Sequence, residues 1–265
     1  MKRSLVMRAA RGFGLVEIMI SLVLASFLVL GLATMVANVQ GTYSNQTEFA
    51  AVNDKERYAA SLFQDLIMTS GYFSLSQVTQ TYLNSNQLPT AKGALPAESA
   101  SGYSYGIGQG LSGGYGGSAT TPDTLNVRFQ AVSGDGGSPF NCLGQTAAPT
   151  GSTGSQLATG VYESQLSISS AGNLVCETGS GSGLGTTQTV LIDGVSNMKI
   201  LYGIDTLNNG YVTQYVNASN IAGANWFLVR SVQVTLTFKT ATMAGNVQPT
   251  FTQIYQVKYS ENSQR

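Results

Sequence analysis

The sequence predicts an α+β fold, in which one long N-terminal hydrophobic helix packs on a C-terminal antiparallel β-rich domain. Three observations carry that prediction. Residues Leu15 to Ala37 form an almost unbroken apolar run. The polar sequence after it keeps a helical period up to Gly71. Beyond Pro122, short segments rich in β-branched and aromatic residues alternate in polarity, separated by Gly, Ser and Asn.

The apolar run comes first. Lys2, Arg3, Arg8 and Arg11 precede it, and Glu17 is the one charge inside it. About 20 apolar residues suffice to cross a bilayer as a helix, and the basic cluster would hold the preceding end in the cytoplasm. The chain after Ala37 is then expected in the periplasm. An ordinary secretory signal has a shorter apolar stretch and is cut after it. Here the candidate processing point, Gly12 followed by Phe13, lies before the run, so cleavage would leave the hydrophobic helix on the mature protein. Gly31 interrupts the run, which contains no proline.

Glu17 calls for its own account. A carboxylate in a lipid-facing helix costs about 2.5 to 3.5 kcal/mol on insertion scales. One reading gives it a cation, the amino group of Phe13 on a neighbouring subunit, so that the pair sets axial register in a fibre. The other places it near the interface, favoured by the positive end of its own helix, with no partner.

Past Ala37, Phe49, Val52, Ala59, Leu62, Phe63, Leu66 and Ile67 recur at steps of three, four and seven, an apolar stripe expected to lie against a sheet. Asp54, Lys55, Glu56, Arg57, Gln64 and Asp65 belong to the opposite, solvated side, and Gly71 is a natural stop. The expected division is 1–12 as leader, 13–70 as transmembrane and assembly helix, and 71–265 as a β-rich globular domain.

Tyr103 to Ser118 holds seven glycines from Gly106 to Gly117. A phosphate-binding loop would need a buried strand before it and a helix after it, so a mobile surface loop is expected instead. Strands are expected over Leu125–Val132, Val161–Ile168, Thr189–Ile192, Asn197–Ile204, Tyr211–Val216, Leu228–Lys239 and Phe251–Tyr259. Asn209-Gly210 reads as a tight type I′ hairpin turn. The Gly/Ser stretch Gly179–Gly185 reads as a loop.

Composition excludes several function classes. Lysine plus arginine number 13 and aspartate plus glutamate 13, so no general pull toward nucleic acid is expected. Histidine is absent, which removes the commonest general base and metal ligand. Asp123, Asp135, Glu163 and Asp205 show no spacing that predicts a carboxylate pair, and they read as scattered surface acids. No catalytic residue, metal or cofactor is expected. Cys142 and Cys176 are the two cysteines. In an oxidising compartment they would pair, stabilising by roughly 3 to 4 kcal/mol, the alternative being two buried free thiols.

The order of leader, cleavage point and apolar helix resembles the type IV prepilin leader. Arg11-Gly12-Phe13-Gly14-Leu15-Val16-Glu17 matches its glycine, phenylalanine and glutamate four residues beyond. The resemblance implies a membrane-bound prepilin peptidase that cuts after Gly12 and methylates the new amino terminus at Phe13. Further along, three stretches are similar to the PilW-type minor pilins, which implies a pilin-like fold. One runs from Glu56-Arg57-Tyr58-Ala59 through Asp65-Leu66-Ile67-Met68 to Gly71-Tyr72. Another pairs Asn141-Cys142-Leu143-Gly144 with Leu174-Val175-Cys176. The last begins at Gly194-Val195, passes Met198 and Tyr202-Gly203-Ile204-Asp205, and reaches Tyr215 and Trp226.

The resemblance implies a structural subunit that primes pilus assembly at or near the tip. Its implied partners are other minor pilins, the major pilin and the inner-membrane assembly platform. It implies a single-pass inner-membrane protein with a periplasmic domain before assembly, and a place in the pilus afterwards. A J-type pseudopilin of a type II secretion system shares leader, helix and β-rich domain, and a tip adhesin using the Gly/Tyr loop is a further alternative. Asp205-Thr206-Leu207-Asn208-Asn209-Gly210 has oxygen-rich character, but Leu207 occupies a ligand position and the closing glutamate is missing, so a hairpin turn is expected over a calcium site.

Overall fold

A computed structural model describes residues 14–73, 95–100, 103–131, 139–145, 160–180, 184–185, 187–240 and 248–258. A single helix, α1, runs Leu15–Thr69. Its length follows from the absence of proline and from two successive reasons for helix: an apolar run, then an amphipathic period. The chain divides into two compact units, Met1–Ala50 and Ala51–Arg265, and the boundary falls within α1.

In the first unit the apolar side chains of α1 are exposed from Leu15 through Val39. Phe49, read in the sequence as part of the packed stripe, is 51% exposed and belongs to this unit. Its helical phase is right, but among the described residues nothing buries it.

In the second unit, Val52, Ala59, Phe63, Leu66 and Ile67 are buried, with Leu62 partly buried beside them. Opposite them stand two antiparallel sheets. The eleven strands among the described residues are β1 Glu98–Ala100, β2 Tyr103–Tyr105, β3 Leu111–Gly114, β4 Thr124–Ala131, β5 Gly160–Ile168, β6 Asn173–Ser180, β7 Thr189–Asp193, β8 Val195–Ile204, β9 Gln214–Val216, β10 Val229–Phe238 and β11 Thr250–Gln256. One sheet has the order β3-β4-β5-β6-β7, the other β11-β10-β8-β9, and β1 and β2 make a separate ribbon. The helix stripe shares one core with Leu125, Leu166, Leu174, Ile192, Met198, Val234 and Leu236 from these sheets. Phe63 stacks on Tyr255 of β11 with ring centroids 6.0 Å apart.

The helix stops where Gly71 takes φ 78°, a conformation that favours glycine. There the Gly71 amide donates to the Arg128 carbonyl at 2.9 Å, tying the helix end to β4. Lys55, assigned to the solvated side, pairs with Asp193 at 3.1 Å and also donates to its carbonyl at 3.2 Å. Both belong to the second unit, so the contact adds a polar fastening at the β7–β8 turn.

Alternation explains β10, where Val232, Val234, Leu236 and Phe238 are buried in phase. Leu228 ends a 3-10 turn, Gly223–Leu228, and the register shifts between Val229 and Ser231, so the strand begins one residue later than the pattern suggests. The expected strand Tyr211–Val216 shortens to β9, and the final one to β11, with Tyr259 outside the described residues.

Three expectations need correction. Asn209-Gly210 is not a two-residue hairpin turn, because Ile204 pairs with Gln214 and the connection spans the residues between them. The positive φ values fall on Asn208 and Gly210, and the Asp205 carboxylate organises the loop by accepting from the Asn209 and Gly210 amides at 3.1 and 2.7 Å. Tyr103 to Ser118 is not a surface loop, since it contains β2 and β3 with buried Tyr103, Tyr105, Gln109, Leu111 and Ser112. Its glycines permit close approach: a Cβ at Gly110 would overlap the Gly71 backbone, and one at Gly113 would overlap Tyr202 Oη. Finally, β6 was not expected, and it takes in Gly179 and Ser180 from the stretch read as a loop.

Candidate assembly helix and the fastened sheet unit

The candidate assembly residues begin at the amino end of α1. Gly14 accepts from the Glu17 and Ile18 amides at 2.9 and 3.3 Å, opening the helix, and Glu17 sits in its first turn. Ser21 Oγ donates to the Glu17 carbonyl at 2.7 Å. Gly12 and Phe13, the candidate cleavage and methylation positions, lie outside the described residues.

From Leu15 the helix is apolar on every side. Leu15, Val16, Ile18, Met19, Ile20, Leu22, Val23 and Leu24 are all exposed, so no core among the described residues covers them. Ser26 and Thr34 turn their hydroxyls onto the carbonyls of Val23 and Gly31 at 2.7 and 2.8 Å, and so present no unpaired donor to an apolar surrounding. At 1.5 Å per residue, Leu15 to Ala37 spans about 35 Å, enough for a hydrocarbon layer of about 30 Å. A Cβ at Gly31 would meet no neighbour within 4 Å among the described residues beyond the helix's own backbone. Among the described residues nothing covers this segment, and its length and apolarity suit a membrane span.

In the second unit the candidate residues occupy structural positions. Cys142 and Cys176 form a disulfide, with Cα atoms 6.1 Å apart, which clips the 139–145 segment to β6. Around it Asn141 Oδ1 accepts from the Leu143 and Gln145 amides at 3.0 and 2.9 Å, and the Cys142 amide donates to Ser164 Oγ at 3.2 Å.

The family-like stretch from Gly194 to Trp226 converges as well. Tyr202 meets Trp226 edge to face, with centroids 4.9 Å apart. Gly203 lies beneath Tyr215, whose hydroxyl is 3.1 Å from Ser231 Oγ. Asp205 is fully buried beside Arg230, at 3.5 Å. Burial alone would push its carboxyl up, but the Gly210 and Asn209 amides and the Arg230 charge hold it below the usual carboxylate range. Its two oxygens are engaged by the loop and by Arg230, which is the arrangement of a turn organiser. Among the described residues no group of three or more metal-ligating side chains occurs.

The acids read as scattered on the surface are not there. Asp123, Glu163 and Asp205 are all buried, while Asp135 lies outside the described residues. Asp123 receives Lys199 Nζ at 2.6 Å, the Gly116 amide at 2.9 Å and the Ile200 amide at 2.9 Å, and thereby fastens the glycine-rich segment to β8. Glu163 of β5 receives the Tyr103 hydroxyl and lies beside Glu98, a residue that nothing in the sequence had singled out. Only side-chain placement across the fold reveals that neighbour, 65 positions away in the chain.

Residues 161–264 match the family of type IV pilus-assembly protein W, and residues 7–33 match the prokaryotic N-terminal methylation motif. Among solved structures, a type IV-like pilin from Thermus thermophilus is similar at 11% identity with a TM-score of 0.41, over 78% of this chain and 96% of that one. Among curated proteins no significant match is found. The family is one of structural pilins, and the motif and the family together imply membrane anchoring, contact with other pilus components and incorporation into a pilus. A methylation-type leader ahead of a long apolar helix, together with the match of residues 161–264 to the type IV pilus-assembly protein W family, supports a PilW-type minor pilin that acts in type IV pilus assembly.

Proposed function

We propose that the chain is cut between Gly12 and Phe13 by a prepilin peptidase, methylated at Phe13, and held in the inner membrane by Leu15–Ala37 with its β-rich unit in the periplasm. It then passes into a pilus, where it acts with other minor pilins to prime assembly at or near the tip, in contact with the major pilin and the assembly platform. Its role is structural and non-catalytic.

The observation that carries this reading is the run of exposed apolar side chains on α1 with one carboxylate, Glu17, in its first turn. In a bilayer and then in a bundle of like helices, apolar surface remains covered throughout, whereas an unpaired carboxylate is penalised in both. The amino group created at Phe13 supplies a cation near that carboxylate on a neighbouring subunit, which favours one axial offset over others.

The test is Glu17→Ala in the full chain. Membrane insertion and leader removal should be retained, while recovery in sheared pili falls at least tenfold. Normal recovery would remove the register role. Mass spectrometry of the native terminus checks the processing step independently: an intact basic leader, or a terminus beyond Ala37, overturns it.

A further inference from the structure

The β1–β2 ribbon is held against the five-stranded sheet by a buried polar cluster that belongs neither to the assembly helix nor to the disulfide. Arg128 of β4 is 0% exposed and Glu163 of β5 1% exposed, and the two residues pair across the strands. From the ribbon side, Glu98 of β1 approaches Arg128 Nη1 at 3.8 Å, and Tyr105 of β2 lies under the guanidinium with its ring centroid 4.3 Å from Cζ. Tyr103 of β2 donates its hydroxyl to Glu163 Oε2. The titratable and charged groups facing Glu163 are therefore Glu98, Tyr103, Tyr105 and Arg128.

Charge counting makes the cluster uneven. It holds one permanent cation and two carboxyl groups, and Arg128 already gives three of its N–H bonds to the carbonyls of Gln109, Pro96 and Gly106, at 2.5, 2.6 and 2.8 Å. Glu98 and Glu163 lie within hydrogen-bonding reach of each other, yet each keeps a buried Oε1 with no hydrogen-bond partner among the described residues. Two ionised carboxylates cannot donate to each other. One proton between them supplies the missing donor and brings the cluster to neutrality, whereas its loss leaves a net negative charge in a largely buried site.

We propose that Glu163 holds a proton toward Glu98 and that the pair acts as a latch, fastening the β1–β2 ribbon to the sheet in acidic solution and releasing it as the pH rises through neutrality. Burial, followed by the Glu98 contact, pushes the Glu163 carboxyl up to about 7. Because the latched form binds the proton more tightly than the open form, the latch is fully effective below the ordinary carboxylate value and is lost as pH rises through about 7. What opens is the edge of the sheet at β3, where Ser112 Oγ reaches the Ser104 carbonyl at 3.3 Å.

Amide hydrogen exchange of the full-length protein in detergent micelles, corrected for the intrinsic pH dependence, tests this. In the wild type, opening of residues 98–105 relative to 124–131 should rise on the order of fifty-fold between about pH 5 and about pH 8. In Glu163→Gln, and separately in Glu98→Gln, the amide supplies the donor and the cluster is neutral without that proton, so that rise should vanish. Two substitutions on different elements guard against one of them failing to fold. The infrared band of a protonated carboxyl should be present in the folded wild type at about pH 6 and absent from both variants. The latch is overturned if the wild-type ribbon shows no excess rise over 124–131, if both variants keep it, or if the carboxyl band is missing.

Discussion

Phe49 and Phe63 occupy the same helix and suit the same stripe, yet truncating them should have unequal effects. Phe63 is 0% exposed and stacks on Tyr255, whereas Phe49 is 51% exposed. Phe63→Ala removes a fully buried ring between helix and sheet, and such losses cost about 3 to 5 kcal/mol, part of it from the aromatic pair. At 1.4 kcal/mol per factor of ten, the folded-to-unfolded ratio of the β-rich unit falls by roughly a thousandfold. Phe49→Ala should stay within about 0.5 kcal/mol of the parent. The assay is guanidinium unfolding in micelles, followed through Trp226, the single tryptophan, which is buried against Tyr202 and reports on this unit. Equal midpoint shifts for the two variants would refute the placement of the core.

Gly113→Ala should destabilise by about 1 to 3 kcal/mol, because its methyl overlaps Tyr202 Oη, a hydroxyl with no hydrogen-bond partner among the described residues. Adding Tyr202→Phe should recover part of that loss, and a thermal-melting double-mutant cycle reads the coupling. Replacing both cysteines, or reducing the bond, should lower stability by about 3 to 4 kcal/mol for the separation of 34 residues, measured as the shift in unfolding midpoint. Asp205 is held below its ordinary value, so its contribution is complete above the unfolded carboxylate range, near 4, and is lost as pH falls through the lower folded value. Asp205→Asn should therefore lose stability at neutral pH and show a flatter acid limb, followed through Trp226 fluorescence; an unchanged acid limb contradicts the assignment.

Periodicity made much of the fold legible. Leu125, Val127 and Phe129 alternate on β4 with the polar Asn126 and Arg128, and Val232, Val234, Leu236 and Phe238 alternate on β10, because the apolar residues of each strand share one face. The pattern fails where both faces are covered: Leu174, Val175 and Cys176 are consecutive and all buried, so β6 shows no period of two. It fails again where glycine replaces side-chain packing with backbone contact, as at Gly110 and Gly113. Asn209-Gly210 misled because a turn dipeptide reports local preference, and Asp205 imposes a wider loop by capturing two amides. On the functional side, Glu17 stands out in the sequence since a charge in an apolar run is conspicuous by itself. Glu98 and Glu163 become neighbours only through tertiary structure, and no linear spacing announces that.

Arg128 holds the stretch from Pro96 to Gln109 by three carbonyl oxygens. A carbonyl is common to every amino acid, so those bonds depend on the path of the main chain and not on what hangs from it. Outward-facing positions such as Ile107, which is exposed, can accordingly be exchanged without unfastening the segment. One interior guanidinium thus leaves the outside of this stretch open to evolutionary change, and gives an experimenter a place to introduce a cysteine for a dye or cross-linker at little cost to the fold.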